Sequence, residues 1–334
     1  MSSRSLVDTA LVHEGVPGLT LEGDLLRVTL FPEAGAKILD LVHRPTGVNL
    51  LWQNPRVPLR RTYPGAAFDD VWCGGWDELF PTDPPCQLDG NTFHDHGDLW
   101  HGPWDWSIEK DDGETATVAL RRFTVALPCL MEKWVTLRRD SLDVAFRHRL
   151  TNLGTQRMSF AWNLHVAHAI GPDSRIHVPA KALAVVPAQP GRFAGGPAVL
   201  EWPLHGDIDL SAVLPAEAGV TEWLHTVGVA AGWCAVTHPS RSLGLGITFD
   251  PELFRTTWLW GVYGGWRGHY VLLTEPSTSP PGGLAENVAG GTAAWLEVGA
   301  AIETAVTARV IEGTGRHTGE VWPASLVQPG ANEP

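Results

Sequence analysis

The chain has 334 residues, of which 44% are hydrophobic and 18% are charged, so it can bury a large core and is not a disordered chain. Its formal net charge of −13 disfavours nucleic acid and anionic membrane surfaces as partners. It contains no apolar run of the roughly 18 residues that a membrane helix needs, and its first residues lack the apolar segment of a secretory signal. We therefore expect a cytoplasmic enzyme or binding protein.

Short segments with period-two alternation recur along the whole chain, whereas helical periodicity is scarce. In LDVAFRHRL, residues 142–150, every second residue is apolar or histidine, and Arg139-Asp140-Ser141 joins this segment to EKWVTLR as a predicted hairpin. Further strands are predicted at LRVTLF, AKILDLVH, TATVALRRF, RMSFAWNLH, WCAVTH, LGLGITF, TTWLWGVY, HYVLLTE, AAWLEVG and IETAVTARVI.

These strands spread over the chain without an alternation of strands and helices and without an internal repeat. The pattern predicts an all-β fold, a large antiparallel β-sandwich, formed as a single domain by residues 1–334 with its core at about 20–312. Residues 189–220 are rich in Pro, Gly and Ala and predict a long excursion, and the tail after His317 is expected to attach loosely.

The four cysteines neither form a CxxC pair nor stand at zinc-finger spacing. In a chain of this length they are most simply free thiols, and they are Cys73, Cys86, Cys129 and Cys234. The histidines of TFHDHGDLWHGPWDW, residues 92–106, are spaced H-x-H-x4-H, which is not specific for a metal. We favour hydrogen-bonded side chains over a metal site for His94, His96 and His101.

The same stretch combines its histidines with three tryptophans and three aspartates. A core segment would not carry so many polar groups, because each buried one needs a partner. A solvated loop would not carry so many indoles. A pocket that binds a polar ligand between flat apolar faces could use both. A second mixed stretch is FDDVWCGGWDELFPTDPP, residues 68–85. There Gly-Gly allows a close turn, and Trp76, Asp77 and Glu78 then offer one flat face and two hydrogen-bond acceptors.

Two strand ends carry groups that can transfer protons. In RMSFAWNLHVAHAIG, the alternation places His165 with Asn163 on the more polar face, and an imidazole titrates near neutrality. Glu275 ends an apolar strand and is followed by Pro276, although on spacing alone a strand-end charge that meets water is the simpler interpretation. Glu286 is an alternative carboxylate.

Taken in order, these stretches resemble the aldose 1-epimerase, or galactose mutarotase-like, superfamily. GGWDELFPTDPP followed by DHGDLWHGPW is similar to the Gly-Gly, His-Gly and Pro-Trp succession of its sugar and sugar-phosphate epimerase branch. FAWNLHVAH resembles the segment with the second family histidine, LLTEPST resembles the strand end with the catalytic glutamate, and LRVTLFPEAGAKILDLVHRPTGVNLLW resembles the first strands. The resemblance spans about residues 20–312 and implies a supersandwich that binds a sugar on the concave face of one sheet.

The resemblance implies a role for three residues. Glu275 matches the general base, which takes the proton of the anomeric hydroxyl, and His165 matches the general acid, which protonates the ring oxygen. The ring then opens, the C1–C2 bond rotates, and the aldehyde closes from its other face. His96 matches the first family histidine, which contacts the sugar. This chemistry implies neither a metal nor a redox cofactor.

The chain departs from the sugar-phosphate branch at two positions. Cys73 stands where that branch has an arginine before Gly-Gly, and HGDLW lacks the arginine of its HGFAR-like run. These losses argue against a phosphorylated substrate, and Asp77 and Glu78 instead favour a neutral, hydroxyl-rich sugar. The residues predicted to bind that sugar are His96, Asp77, Glu78, Trp76, Trp100 and Trp260, with Trp258 as a further candidate stacking surface. Each of Trp100, Trp258 and Trp260 fits the core or the rim of the protein as well.

Two other functions stay open from the sequence. One is a non-catalytic carbohydrate-binding or sensor protein of the same fold. The other is a glycoside hydrolase or lyase, in which Asp77 or Glu78 would work together with Glu275 as the two carboxylates. In each case the expected partner is a small carbohydrate, and the chain is expected to be a monomer or a homodimer.

Overall fold

The computed structural model describes residues 5–313, so the tail after His317 lies outside the described residues. The described chain contains two short α-helices, α1 (Phe68–Val71) and α2 (Leu284–Ala289). Its strands in chain order are β1 (Val7–Asp8), β2 (Val12–His13), β3 (Val16–Pro17), β4 (Leu19–Glu22), β5 (Leu26–Phe31), β6 (Lys37–His43), β7 (Val48–Asn49), β8 (Trp76–Leu79), β9 (Cys86–Leu88), β10 (Asn91–Phe93), β11 (Asp105–Asp111), β12 (Thr115–Phe123), β13 (Cys129–Arg138), β14 (Asp143–Asn152), β15 (Met158–Phe160), β16 (Asn163–His168), β17 (Arg175–His177), β18 (Ala182–Pro190), β19 (Val199–Glu201), β20 (Leu204–His205), β21 (Ile208–Asp209), β22 (Val220–Thr226), β23 (Trp233–His238), β24 (Leu243–Thr248), β25 (Thr256–Tyr263), β26 (Tyr270–Ser277), β27 (Ala294–Leu296) and β28 (Ala301–Glu312). No helix among these residues is long and apolar enough to cross a membrane.

Two large sheets hold most of these strands. The 12-stranded sheet runs in the order β1-β4-β5-β6-β8-β16-β26-β25-β22-β18-β19, with β7 paired to β6. The 8-stranded sheet runs in the order β11-β12-β13-β14-β28-β24-β23-β17. Neighbouring strands in both sheets pair antiparallel, including the predicted hairpin of β13 and β14. The predicted large antiparallel β-sandwich is therefore confirmed.

The core lies between the two sheets. Alternate residues of β14, among them Val144, Phe146 and Leu150, are buried as the sequence pattern predicted. They belong to one cluster with side chains of the 12-stranded sheet, such as Trp76, whose ring centroid lies 4.8 Å from that of Phe146. A second apolar cluster covers the opposite face of the 12-stranded sheet and includes Leu273. The middle of the 12-stranded sheet is therefore covered on both faces.

The prediction of one continuous strand at RMSFAWNLH is wrong, because this segment forms two strands. β15 pairs with β27, whereas β16 pairs with β8 and β26 in the 12-stranded sheet. Between them, the backbone N–H of Ala161 donates to the carbonyl oxygen of Pro81 and that of Trp162 donates to the hydroxyl of Thr278, at 2.8 and 2.9 Å. The chain changes sheets at this break, which no alternation pattern reveals.

A buried ion pair joins the two sheets. Glu78 of β8 accepts hydrogen bonds from the ammonium group of Lys133 on β13 at 2.9 Å and from the indole of Trp162 at 2.8 Å, and it lies 3.0 Å from the imidazole of His148. Burial raises the pKa of Glu78, but the charges of Lys133 and His148 and these hydrogen bonds outweigh it and lower the pKa from 4.5 to about 2. The ionised carboxylate is therefore a structural group of the core.

Breaking this pair should destabilise the fold strongly. We expect Lys133→Met to lower the free energy of unfolding by about 3–5 kcal/mol, because it leaves Glu78 buried without its cation. The matched control is Arg121→Met, since Arg121 pairs with Asp105 on the exposed surface and should change stability by less than about 1 kcal/mol.

The contribution of Glu78 to the free energy of unfolding depends on pH. Because the pKa of Glu78 is lower in the folded state, its contribution is full above pH 4.5 and is lost as the pH falls toward 2. Urea titrations of wild type between these values should show a steeper loss of stability than those of Lys133→Met. Equal stability of Lys133→Met and wild type at pH 7 would show that the pair is dispensable.

Candidate functional site

A cavity of about 140 Å³ opens on the face of the 12-stranded sheet that points away from the core. Its floor comes from the neighbouring strands β16, β26, β25, β22 and β18, and its walls come from α1 and the adjoining loops. The residues that line it are Phe68, Asp69, Trp72, Asp83, His96, His165, Gln189, Trp223, Trp260, Trp266 and Glu275.

The two predicted proton-transfer residues meet at the centre of this floor. The antiparallel register that pairs Val166 with Thr274 places the preceding residue, His165, opposite Glu275. Residues opposite each other on antiparallel strands project from the same face, so both side chains reach the cavity although they lie more than a hundred residues apart in sequence. From the sequence, the proximity of His165 and Glu275 was implied only by the family resemblance.

Both groups are buried and lack protein partners for hydrogen bonds. Glu275 is 4% exposed, and none of the described residues donates a hydrogen bond to its carboxylate. His165 is also 4% exposed, and its Nδ1 atom has no partner among residues 5–313. Buried polar groups are normally satisfied, so the carboxylate of Glu275, which lines the cavity without a donor from the described part of the chain, indicates a place that a ligand fills.

Burial shapes the protonation of the pair. It raises the pKa of Glu275 well above 4.5, and the negative charge of Asp83 raises it further. It lowers the pKa of His165 well below 6.5, with the positive charges of His96 and Lys37 acting in the same direction. Burial therefore favours the protonated form of Glu275 and the neutral form of His165, relative to the same groups in water.

His96 forms the wall beside this pair. It has a left-handed φ of 60°, followed by Gly97 at 69°, where a Cβ would lie 2.0 Å from the carbonyl oxygen of Phe80. Its ring stacks on Phe68 with centroids 3.8 Å apart and planes at 9°, and its edge faces His165 at 5.8 Å. This loop geometry fixes the imidazole in the cavity.

Three aspartates surround His96. Its Nδ1 lies 2.9 Å from Asp95 and its Nε2 lies 3.3 Å from Asp83. Burial lowers the pKa of His96, but the charges of Asp83 and Asp95, the Asp95 hydrogen bond and the nearby Asp69 carboxylate raise it above 6.5 overall. Burial also raises the pKa of both Asp69 and Asp83. The surrounding carboxylates therefore favour the protonated, positive form of His96.

The other histidines of that stretch lie elsewhere. His101 is fully buried, and its Nδ1 lies 3.4 Å from the guanidinium of Arg122. His94 is exposed and does not line the cavity. Within residues 5–313, no three His, Cys, Asp or Glu side chains are grouped so that they could hold a metal ion.

Indole rings form much of the remaining surface. Trp260 lies 5.2 Å from Trp266 and 6.2 Å from Trp72, measured between ring centroids. The N–H of Trp260 donates to the side-chain oxygen of Gln189 at 2.5 Å. The N–H groups of Trp72 and Trp223 are buried and have no partner within the described part of the chain. The cavity therefore presents several flat apolar faces beside its carboxylates.

Three residues of β8 that were predicted to bind the ligand do not line the cavity. Trp76 and Glu78 project into the core between the sheets, where Glu78 is held by its ion pair. Asp77 projects from the cavity side of β8 beside His165, but it is fully buried and paired with Lys37. The sequence could not show these partners, because Lys37 and Lys133 come from strands distant along the chain.

Among the tryptophans predicted to stack on the ligand, one lines the cavity and others lie behind its lining. Of the predicted stacking residues, Trp260 lines the cavity. Trp100 lies behind it, edge-on against Phe68 at 4.9 Å, with its N–H donated to the carbonyl oxygen of Asp95 at 3.2 Å. Trp258 is fully buried, and its N–H donates to the carbonyl oxygen of Ser279 at 2.9 Å. Trp100 and Trp258 therefore support the site from behind.

Seven lining residues were not predicted from the sequence. Four of them, Phe68, Asp69, Trp72 and Asp83, belong to the stretch FDDVWCGGWDELFPTDPP, from which the middle residues had been chosen instead. The aromatic and acidic residues at the two ends of that stretch were the available signal. The other three, Gln189, Trp223 and Trp266, came from segments with no recognised motif.

Comparisons with solved structures define the class of fold. A protein from Klebsiella pneumoniae with a provisional assignment as an aldose 1-epimerase matches at a TM-score of 0.73 and 16% identity, over 92% of this chain and 83% of that one. Galactose mutarotase-like proteins from Clostridium acetobutylicum and Lactobacillus casei match at TM-scores of 0.64 and 0.57, with 12% and 18% identity. These matches cover 92% and 88% of this chain and 98% and 99% of the other chains.

No protein-family model matches the chain, and no curated protein matches it. The similarity in structure nevertheless extends over most of the chain and of each neighbour. The protein therefore has the galactose mutarotase-like fold, as the resemblance of its sequence stretches implied.

The unpartnered state of Glu275 has a consequence for stability. Because its pKa is raised in the folded state, the protein loses stability as the pH rises through that pKa. We expect Glu275→Gln to raise the free energy of unfolding by about 0.5–2 kcal/mol at pH 8, as is common when a functional group is removed, and by less at pH 5.

The matched comparison is Glu78→Gln, which changes an equally buried glutamate in the same sheet. This variant should be less stable than wild type by about 3–5 kcal/mol at pH 8, because it leaves Lys133 unpaired. Thermal unfolding of both variants at pH 5 and pH 8 measures the contrast. A loss of stability in Glu275→Gln at pH 8 would contradict the assignment of Glu275 as an unsatisfied carboxylate.

Proposed function

We propose that the protein is an aldose 1-epimerase-like enzyme, a mutarotase, that interconverts the α and β anomers of a small sugar without a phosphate group. The observation that carries this proposal is the pairing of His165 and Glu275 across neighbouring strands at the floor of the cavity, where the carboxylate of Glu275 has no hydrogen-bond donor among residues 5–313. Their identities and order match the general acid and general base that the resemblance implies.

The size and lining of the cavity support a sugar as ligand. Its volume of 140 Å³ has room for roughly ten water-sized groups, since each water needs about 10–15 Å³, and this is close to the heavy-atom count of one monosaccharide. Indole faces suit the C–H faces of a pyranose ring. The carboxylates of Asp83 and Glu275 suit its hydroxyl groups.

The chemistry needs one proton on the pair throughout. In ring opening, Glu275 takes the proton of the C1 hydroxyl while His165 gives a proton to the ring oxygen. After this step Glu275 is protonated and His165 is neutral, and these are the forms that burial favours. Closure reverses both transfers on the other face of the aldehyde, and His96 stabilises the oxygen on which charge develops.

A glycoside hydrolase needs a second carboxylate beside Glu275, and the residues predicted for that role, Asp77 and Glu78, do not provide it. Asp77 is paired with Lys37 and Glu78 with Lys133, so neither is available to act with Glu275 on a glycosidic bond. The sensor alternative keeps the same cavity and differs only in the rate of anomer exchange. Kinetic measurement therefore separates it from the enzyme.

Proton exchange NMR on the anomers of a small aldose panel tests the proposal. We expect wild type to accelerate anomer exchange and Glu275→Gln and His165→Ala to lower the rate by about 10²–10⁴-fold, the usual contribution of a general acid or base. Glu286→Gln is the matched control for the carboxylate, because Glu286 caps α2 outside the cavity and glutamine keeps that hydrogen bond. His94→Ala is the exposed control for the histidine.

Circular dichroism of each variant establishes that it is folded. Binding of an aldose without accelerated exchange in wild type would favour the sensor instead of the enzyme. Loss of exchange in Glu286→Gln to the same extent as in Glu275→Gln would contradict the assignment of the base.

The pH profile tests which group holds the shared proton. Activity needs one proton on the pair, so kcat/KM should fall below the pKa of His165, which lies under 6.5, and above the pKa of Glu275, which lies well over 4.5. Asp83→Asn removes a negative charge that raises the pKa of Glu275, so it should shift the alkaline limb to lower pH. A shift of the acid limb alone would reverse the assignment of the two limbs.

A further inference from the structure

The charge of the cavity differs from the charge inferred from the sequence. A neutral ligand was expected because of Asp77 and Glu78, but lysines neutralise both of these carboxylates within the protein. The acidic groups that do line the cavity are Asp69, Asp83 and Glu275. These three groups therefore determine which charge on a ligand the cavity favours.

The three carboxylates have few cationic partners. His96 lies 3.3 Å from Asp83 and is the one basic side chain besides His165 that lines the cavity, which has no lysine or arginine in its lining. The guanidinium of Arg267 donates to the backbone oxygen of Asp69 and to the side chain of Asp70, and not to the carboxylate of Asp69. Within residues 5–313, neither Asp69 nor Glu275 receives a side-chain hydrogen bond.

Five aromatic rings line the same cavity, those of Phe68, Trp72, Trp223, Trp260 and Trp266. The faces of aromatic rings attract cations, and an indole does so most strongly. Within the described residues, the carboxylate of Asp69 has no side-chain hydrogen bond and shares the cavity with these indoles. This combination recognises a primary ammonium group, which supplies three N–H donors and one positive charge. A phosphate or a carboxylate on the ligand would be repelled by the same surface.

We propose that this cavity selects an aldose that carries a primary ammonium group, with Asp69 as a residue that determines this specificity. The inference rests on the proposed function, because it assigns the substrate class of the same site. Asp69 lies on α1 at the wall, so it can hold the ammonium group while Glu275 and His165 act on the anomeric centre.

The test is calorimetric titration with four probes at pH 7: 2-amino-2-deoxyglucose, 6-amino-6-deoxyglucose, N-acetylglucosamine and glucose. We expect at least one amino sugar to bind at least 10-fold more tightly than glucose and N-acetylglucosamine, which have similar rings but no charge. The preference should disappear at a pH where the amine is neutral. Equal affinity for charged and uncharged sugars at pH 7 would overturn the inference.

Two neighbouring aspartates give a matched pair of variants. Asp69→Asn removes the charge at the wall and should reduce the preference for the amino sugar at least 3-fold. Asp70→Asn removes an exposed charge one residue further and keeps an oxygen that accepts the Arg267 hydrogen bond, so the preference should be unchanged. An unchanged preference in Asp69→Asn would overturn the role of Asp69.

Anomer exchange, measured with the same sugars, separates this inference from the proposed function. Accelerated exchange without any preference for amino sugars would overturn only the substrate class. Tight binding of an amino sugar without accelerated exchange would support the ammonium site and overturn the proposed catalysis.

Discussion

Along the middle of the 12-stranded sheet, the antiparallel register of β8, β16 and β26 decides which side chains reach the cavity. Asp77, His165 and Glu275 lie in one row across these strands and project from the same face. Side chains alternate between the two faces, so a shift of one residue in β26 would turn Glu275 into the apolar core. The cores on both faces of this sheet make such a shift costly, and the arrangement of the site depends on that packing.

The two buried glutamates of this sheet show how one side chain can serve opposite purposes. Glu78 faces the core and is surrounded by a cation, an imidazole and an indole N–H, so its charge is fully used by the protein. Glu275 faces the cavity and has no hydrogen-bond donor among the described residues, so burial raises its pKa and favours its protonated form. Stability is concentrated between the sheets, and the reactive groups are kept on the outer face.

The sequence predicted the strands well because alternation is a local property. LRVTLF, TATVALRRF, WCAVTH and TTWLWGVY form strands with the predicted bounds. His96, His165, Glu275 and Trp260 were predicted and line the cavity. Asp77 and Glu78 were chosen as ligand-binding acids because their lysine partners, on β6 and β13, cannot be recognised without the fold. Asp83 and Phe68 were missed because residues in loops and in one-turn helices have no periodicity that shows where they point.

The helix α1 contributes Phe68 and Asp69 to the cavity wall and ends beside Trp72, yet it has only four residues. A helix of this length is not stable by itself, so its contacts with His96 and Arg267 hold it in place. Such a segment can open locally at a lower free energy than the whole domain. Occupancy of the cavity is therefore linked to the folding of α1, and the hydrogen–deuterium exchange of its backbone amides reports ligand binding independently of any turnover.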